Sequence, residues 1–371
     1  MRSVTEIGPD MNLAPPARLA TIPVAEIAPG GQVRHAMDDR ARAQALRDEC
    51  LAWLPAAARL MLPALDTTTR FWLKRSASPY VDEIAAIAQV LDHSGIWFLN
   101  GCYQWGCTAL ARDEAGAPWL ARTLDWPFPG LGRHVEIARM GSPAGAFDTV
   151  TWPGFVGVLT GSAPGRFAAS INQAPLRRRT RHPWLRPYDI GRNALATARL
   201  RFIPPDHLLR QVFETCGSFA QARQRLEATP VARPVIYTLA GCAPGERCVI
   251  ERTEQGFETR EDDTCAANDW RQSRPAWEAR VSSAAMLTRS YEEAAERNLA
   301  RKQQLAGWRG EIARGTFDWV TPPVLNPFTR LAVEMCPAQG VLRAVGYETL
   351  PGCELAQPVT ERCEVTAAAL L

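Results

Sequence analysis

With 371 residues, 46% of them hydrophobic and 22% charged, the chain can bury a large core and has an ordinary globular composition. Its formal net charge of +3 is too small to point to nucleic acid, and no segment interleaves aromatic residues with lysines as such a surface does. No apolar run approaches the roughly 18 residues of a membrane span. Residues 1–30 carry Glu6, Asp10 and Glu26 and no signal-like apolar stretch, so a cytoplasmic protein with reduced cysteines is expected. The ten cysteines form no C-x-x-C pair and the five histidines are scattered, so neither a metal nor a cofactor is expected.

In chain order, residues 20–27 (ATIPVAEI) form the first strand candidate, and Asp38 is placed to cap a helix running through Arg47 to about Leu54. Tyr80, Ile84, Ile87 and Leu91 recur at helical spacing, with Gly95 positioned to end that helix. Residues 96–99 read as a strand leading towards Gly106 and Cys107, so 1–106 is a mainly helical segment. Beyond it the pattern changes to strands and turns. Residues 107–112 and 119–124 are strands flanking a turn at 113–116, and 155–160 pairs with 167–171 across Ala163-Pro164-Gly165. Helices follow at 190–200 and 206–216, and a third starts at Ser218, where Gln221 completes a capping-box pattern. Strands resume at 235–239, 248–252 and 257–260, a helix covers 291–305, and strands at 331–335 and 342–345 close the chain. Sequential hairpins with helices grouped between them predict an α+β fold of two stacked antiparallel sheets covered by helices.

The chemistry centres on the hairpin after Gly106. Its returning strand brings Arg122 and Asp125 back to the height of Cys107. A guanidinium near a thiol favours the thiolate, which is the nucleophile, and a carboxylate orients a protonatable amine. By spacing alone the same two residues also fit a surface ion pair. No histidine lies near Cys107 in sequence. A thiol can dispense with histidine when its own α-amine is free, because that amine titrates near pH 8 and serves as base. That arrangement requires Cys107 to become a chain terminus by cleavage after Gly106.

The stretch from Cys107 to Trp126 resembles the start of the mature chain in the acid ceramidase and N-acylethanolamine acid amidase branch of the choloylglycine hydrolase superfamily. Four other stretches resemble it in the same order: residues 80–87, Trp152-Pro-Gly-Phe-Val-Gly-Val-Leu-Thr-Gly161, residues 234–241 and residues 323–329. The resemblance implies a four-layer αββα sandwich of N-terminal-nucleophile hydrolases. Residues 1–106 would be a pro-segment that stays bound after self-cleavage at Gly106–Cys107, and 107–371 the catalytic domain. It further implies Cys107 as nucleophile, Arg122 beside it, Asp125 on the new α-amine, Asn172 and Asn268 as oxyanion donors, and Arg280 as a further site arginine for which Arg274 is the competitor. Read without the family, either asparagine also fits a turn or a cap.

The implied activity is hydrolysis of a linear N-acyl amide or lipid amide through a thioester, with no cofactor. An acyltransferase of the penicillin-biosynthesis type and a non-catalytic lipid-binding protein on the same fold are the alternatives. Three departures from the family pattern stand out, one of them a segment around Asn268 that is compressed relative to the usual Asn-Tyr-Asp pattern. The Cys107-to-Arg122 spacing is one residue shorter than expected, which demands a tighter hairpin turn, and Gln173 replaces a glutamate. The basic run 177–182 fits either a solvated loop or contact with an anionic membrane surface.

Overall fold

The computed structural model describes residues 19–101, 106–272, 274, 276–277 and 290–367. Its strands are β1 (Val24–Ile27), β2 (Gly106–Glu114), β3 (Ala117–Asp125), β4 (Glu136–Met140), β5 (Phe147–Thr151), β6 (Thr160–Ala163), β7 (Phe167–Gln173), β8 (Val235–Ala240), β9 (Arg247–Arg252), β10 (Phe257–Arg260), β11 (Cys265–Ala266), β12 (Thr329–Cys336), β13 (Val341–Glu348), β14 (Gln357–Pro358) and β15 (Cys363–Thr366). The helices are α1 (Gln32–Asp38), α2 (Arg40–Ala52), α3 (Ala56–Leu60), α4 (Leu62–Arg75), α5 (Val81–Leu91), α6 (Ile96–Leu99), α7 (Arg186–Arg199), α8 (Pro205–Thr215), α9 (Phe219–Ala228) and α10 (Tyr291–Gly307). Among the described residues, no helix is long and apolar enough to cross a membrane.

One sheet has eight strands in the order β1-β4-β5-β6-β7-β8-β9-β10, and the second runs β11-β2-β3-β12-β13-β14 with β15 also on β13. The sheets stack through β2 and β3 against β7 and β8. Helix α9 packs on β8 and β9, and α10 packs on β2 and β11, so the layers run helix, sheet, sheet, helix. Strand periodicity divides the faces. On β2 and β3, Leu110, Trp119 and Ala121 join the outer core with Leu305 and Trp319. Cys107, Ala111, Leu120 and Leu124 lie in the other core, with residues of the facing sheet.

The central hairpin closes through a two-residue turn, because Glu114 pairs with Ala117. Ala115 and Gly116 both have positive φ, 50° and 84°, as a type I′ turn requires. Gly116 takes this conformation without penalty, and Ala115 at a cost of about 1 kcal/mol. This is the tight turn that the short Cys107-to-Arg122 spacing demands.

Several expected elements differ. Residues 96–99 are helix α6 rather than a strand, because Asp66 of α4 accepts from the Gly95 and Phe98 amides at 2.9 and 2.8 Å and caps a helical turn. Helix α5 ends at Leu91, before Gly95 is reached: the Asp92 amide makes the last helical bond, to the Ala88 carbonyl, and the left-handed φ of 53° at Asp92 turns the chain out of the helix. Asp38 closes α1 instead of capping the following helix. Residues 155–159 are not a strand: Gly157 lies so close to Asp206 of α8 that a Cβ would meet its carboxylate, and Val158 donates to the Asp206 carbonyl. The Ser218 cap is present, its hydroxyl accepting from Gln221 N at 3.3 Å.

The N-terminal segment is bound to the body in three ways. Strand β1 adds in parallel to β4 at the edge of the eight-stranded sheet. Buried Arg210 of α8 holds both oxygens of Glu83 on α5 at 2.6 and 2.9 Å, and Tyr80 donates to Glu214 at 2.6 Å. Arg42 and His35 both bind Glu136 of β4, at 2.6 and 2.9 Å.

The outer core also holds a buried carboxyl. Glu334 is pushed up to about 7, chiefly by burial, although Trp319 Nε1 and Arg343 favour its ionised form. An acid whose folded pKa is raised loses stability as pH climbs from its unfolded value through the folded one. Glu334→Gln should therefore flatten the stability-versus-pH curve between about 4.5 and about 7, leaving the variant relatively more stable above that window by up to about 3 kcal/mol. Urea midpoints across that range check it; an unchanged pH slope would contradict the assignment.

Candidate active site

The register of three strands assembles the site. Cys107 pairs with Leu124, and Ala109 pairs with Arg122. Directly paired residues share a face, so Arg122 extends over a methyl group and reaches diagonally to the thiol. Its Nη2 donates to Cys107 Sγ at 3.0 Å and to the Ile171 carbonyl at 3.0 Å, and its Nη1 donates to Thr160 Oγ1 at 2.5 Å. Cys107 and Arg122 are fully buried. Burial pushes the Cys107 thiol up, with Arg122 as the main opposing influence, and burial lowers the Arg122 guanidinium. Burial thus favours the protonated thiol, and the neighbouring cation opposes it by favouring the thiolate.

On the other edge of β2, Ala266 pairs with Ala109, which brings Asn268 level with Cys107. Asn268 Oδ1 accepts the Cys107 backbone N–H at 2.8 Å. The same oxygen accepts from Arg301 Nη2 of α10 at 3.0 Å, while Arg301 Nη1 binds Asp125 Oδ2 at 2.9 Å. Asn326 Nδ2 donates to the same Asp125 Oδ2 at 2.9 Å, and Thr329 Oγ1 donates to Asp125 Oδ1 at 3.0 Å. Gly106 pairs directly with Asp125, and a Cβ on it would sit 3.4 Å from Asp125 Oδ2 and 3.6 Å from Asn268 Oδ1. Sulfur and nitrogen of one residue are thus served from opposite faces of the sheet. Arg122 reaches the thiol in the inter-sheet space, and the Asn268–Arg301–Asp125 chain surrounds the nitrogen on the α10 side.

The geometry revises parts of the expected site. Asn172 lies on β7, which extends two residues beyond its expected end, but its Nδ2 already donates to the Ala266 and Ala267 carbonyls at 3.1 and 3.0 Å. Both of its amide hydrogens are therefore taken, and its Oδ1 is buried without a hydrogen bond. Asn268 Nδ2 gives one hydrogen to the Gln173 carbonyl at 2.8 Å and keeps the second. Arg280 lies outside the described residues. Arg274 is turned elsewhere, over the Trp270 ring at 4.6 Å and towards Glu258 at 3.4 Å. The arginine at the Asp125 carboxylate is Arg301, which sequence reasoning missed: nothing in its spacing ties a helix 176 positions downstream to Asp125.

Next to the hairpin, an apolar cavity is lined by Leu46, Leu62, Ile96 and Phe98 of the N-terminal segment and by Trp126 and Phe128, which directly follow Asp125. Trp152 packs edge-on against Phe155 nearby and donates to the Leu131 carbonyl. The basic run is partly absorbed by the fold, since Arg177 binds Glu254 and lies over Trp277, and Arg178 lies over Tyr291. Among the described residues, His35, Asp39 and Glu136 group their ligand atoms within 4.8 Å, but Arg42 Nη1 binds both carboxylates at 2.6 Å and occupies the place of a cation.

No family model matches the chain. It is 31% identical over 186 residues to the N-acylethanolamine-hydrolyzing acid amidase of Oryctolagus cuniculus, a match covering 48% of this chain and 49% of that protein. A probable acid ceramidase of Caenorhabditis elegans is 28% identical over 216 residues, 52% of each chain. Over these matched halves the chain is similar to N-acylethanolamine-hydrolyzing acid amidases and acid ceramidases. It spans about half the length of the curated relatives it matches. The solved Caenorhabditis elegans N-acylethanolamine-hydrolyzing acid amidase ortholog aligns with a TM-score of 0.46 and 17% identity, over 62% of this chain and 93% of that one.

The Asp125–Arg301 pair is nearly buried, with side chains 4% and 11% exposed, so removing either partner strands the other. Asp125→Asn and Arg301→Gln should each destabilise the fold, and the double variant should cost less than the sum, with a coupling of about 1–3 kcal/mol. Additive losses in chemical denaturation would place the two side chains out of contact.

Proposed function

We propose that the chain is the precursor of a cysteine amidohydrolase that cleaves linear N-acyl amides. The single observation that carries this reading is the double provision around Cys107: a guanidinium on its sulfur, and an acceptor network already gathered around its backbone nitrogen. That nitrogen is an amide in the intact chain. Cleavage of Gly106–Cys107 turns it into an amine held by Asn268 Oδ1 with Asp125 close by. The names of the relatives, which act on N-acylethanolamines or ceramides, support the same class of substrate.

In this reading the Cys107 sulfur first attacks the Gly106 carbonyl, the acyl group passes from nitrogen to sulfur, and water releases residues 1–106. In turnover the α-amine takes the thiol proton and the thiolate attacks the substrate carbonyl. The second hydrogen of Asn268 Nδ2 is the donor available to the oxyanion, and Asn172 joins only by giving up the Ala266 or Ala267 carbonyl. The proton returns to the leaving amine, and water then cleaves the thioester. The apolar cavity beside Trp126 and Phe128 fits an acyl chain, with one wall supplied by the pro-segment. The Glu83–Arg210 and Arg42–Glu136 pairs and β1 support a pro-segment that stays bound after cleavage.

Purified protein should yield two chains by intact mass, the larger beginning Cys-Thr-Ala-Leu-Ala-Arg, and Cys107→Ala should stay whole. Across a panel of N-acyl amides, Arg122→Ala and Asp125→Asn should each lower the hydrolysis rate at least about a hundredfold. An active enzyme with an intact Gly106–Cys107 bond would sink the mechanism. Transfer of the acyl group to an added amine in preference to water would instead favour the acyltransferase reading.

A further inference from the structure

Resting on the assignment of Cys107 as nucleophile, we propose that Thr160 is a positioning residue that sets the basicity of the Cys107 thiol through Arg122. Thr160 belongs to the stretch 152–161, which carries part of the family resemblance but none of the residues expected in the site.

Arg122 is a fully buried guanidinium whose hydrogen bonds go to a thiol, a hydroxyl and a backbone carbonyl, and whose Nε has no hydrogen bond. Its direction is therefore set from the facing sheet by two acceptors, Thr160 Oγ1 and the Ile171 oxygen. These acceptors sit on neighbouring strands at one level. Thr160 pairs with Ser170, and Ile171 N donates to the Leu159 carbonyl at 2.9 Å. Thr160 is itself fully buried, and its carbonyl accepts from Thr149 Oγ1 at 3.1 Å, so its backbone is held from both sides.

The guanidinium is a planar fork. With Nη1 seated on Thr160, Nη2 is directed at Cys107 Sγ. Without the hydroxyl, a buried N–H has lost its acceptor and the fork turns to find another, drawing Nη2 off the sulfur. Valine has the shape of threonine and lacks only that acceptor, which isolates the effect from packing.

The readout is alkylation of Cys107 by iodoacetamide in the whole chain, quantified by peptide mass spectrometry from about pH 6 to about pH 10 and compared between variants in the same covalent state. Thr160→Val is expected to raise the midpoint by about half a pH unit or more and to slow alkylation near neutrality at least about threefold. Thr160→Ser, which keeps the hydroxyl, should stay near wild type, and Thr160→Cys, a weaker acceptor of similar volume, should fall between. An unchanged midpoint in Thr160→Val overturns the proposal whatever happens to the melting temperature. Should that variant fail to fold, a wild-type midpoint in Thr160→Cys does so. A chain that hydrolyses no amide yet shows the shift would refute the proposed activity and leave the role of Thr160 standing; turnover without the shift would do the reverse.

Discussion

A fully buried guanidinium with, among the described residues, no carboxylate in hydrogen-bond contact is the constraint on which the site depends. Burying Arg122 costs several kcal/mol unless its N–H groups are met and its charge finds use. The two sheets make room for it with Ala109 and Ala111 on one side and Thr160 and Ser170 on the other, and Thr160 Oγ1, Cys107 Sγ and the Ile171 carbonyl meet its terminal N–H groups while Nε stays without a hydrogen bond. In the proposed mechanism the second demand is met by chemistry rather than by an ion pair. The anion that best completes this environment is a thiolate at Cys107, which exists only while a base holds the proton.

The sandwich separates tasks that would interfere at one location. Asp125 beside the sulfur would oppose the thiolate, and it acts in that direction on the Cys107 thiol even from where it stands. Alternation along β3 puts Asp125 on the face opposite Arg122's neighbours Leu124 and Leu120, where Arg301 matches its charge and Asn326 and Thr329 donate hydrogen bonds to it. A strand can do this within four residues because successive side chains leave on opposite sides.

Much of this was legible from local pattern. The period of two in residues 107–112 and 119–124, together with a glycine able to take positive φ, predicts the hairpin, and the hairpin alone brings Arg122 to Cys107. Asn268 came from resemblance and is level with Cys107 because β11 pairs with β2. Arg301 had no local signal, since its role depends on where a distant helix is laid across the sheet. Residues 96–99 read as a strand because four apolar residues carry no period of their own, and the Asp66 cap that makes them helical comes from another helix. Asn172 lies one residue past the expected strand 167–171, and the two carbonyls that occupy its amide lie at the end of β11, a short strand that no local pattern announces.

The parallel pairing of β1 with β4 has a consequence for the life history of the molecule. Residues 24–27 are stitched into a sheet whose other strands all come from beyond Gly106. An intact chain brings that strand to its place as an intramolecular event, at the high effective concentration that a covalent tether provides. Were the chain cut after Gly106 as proposed, the same contact would form only between two molecules, and refolding would become second order. A molecule cleaved in that way and then unfolded at high dilution would lose its route home, so its endurance would be governed by how slowly it opens rather than by its equilibrium stability.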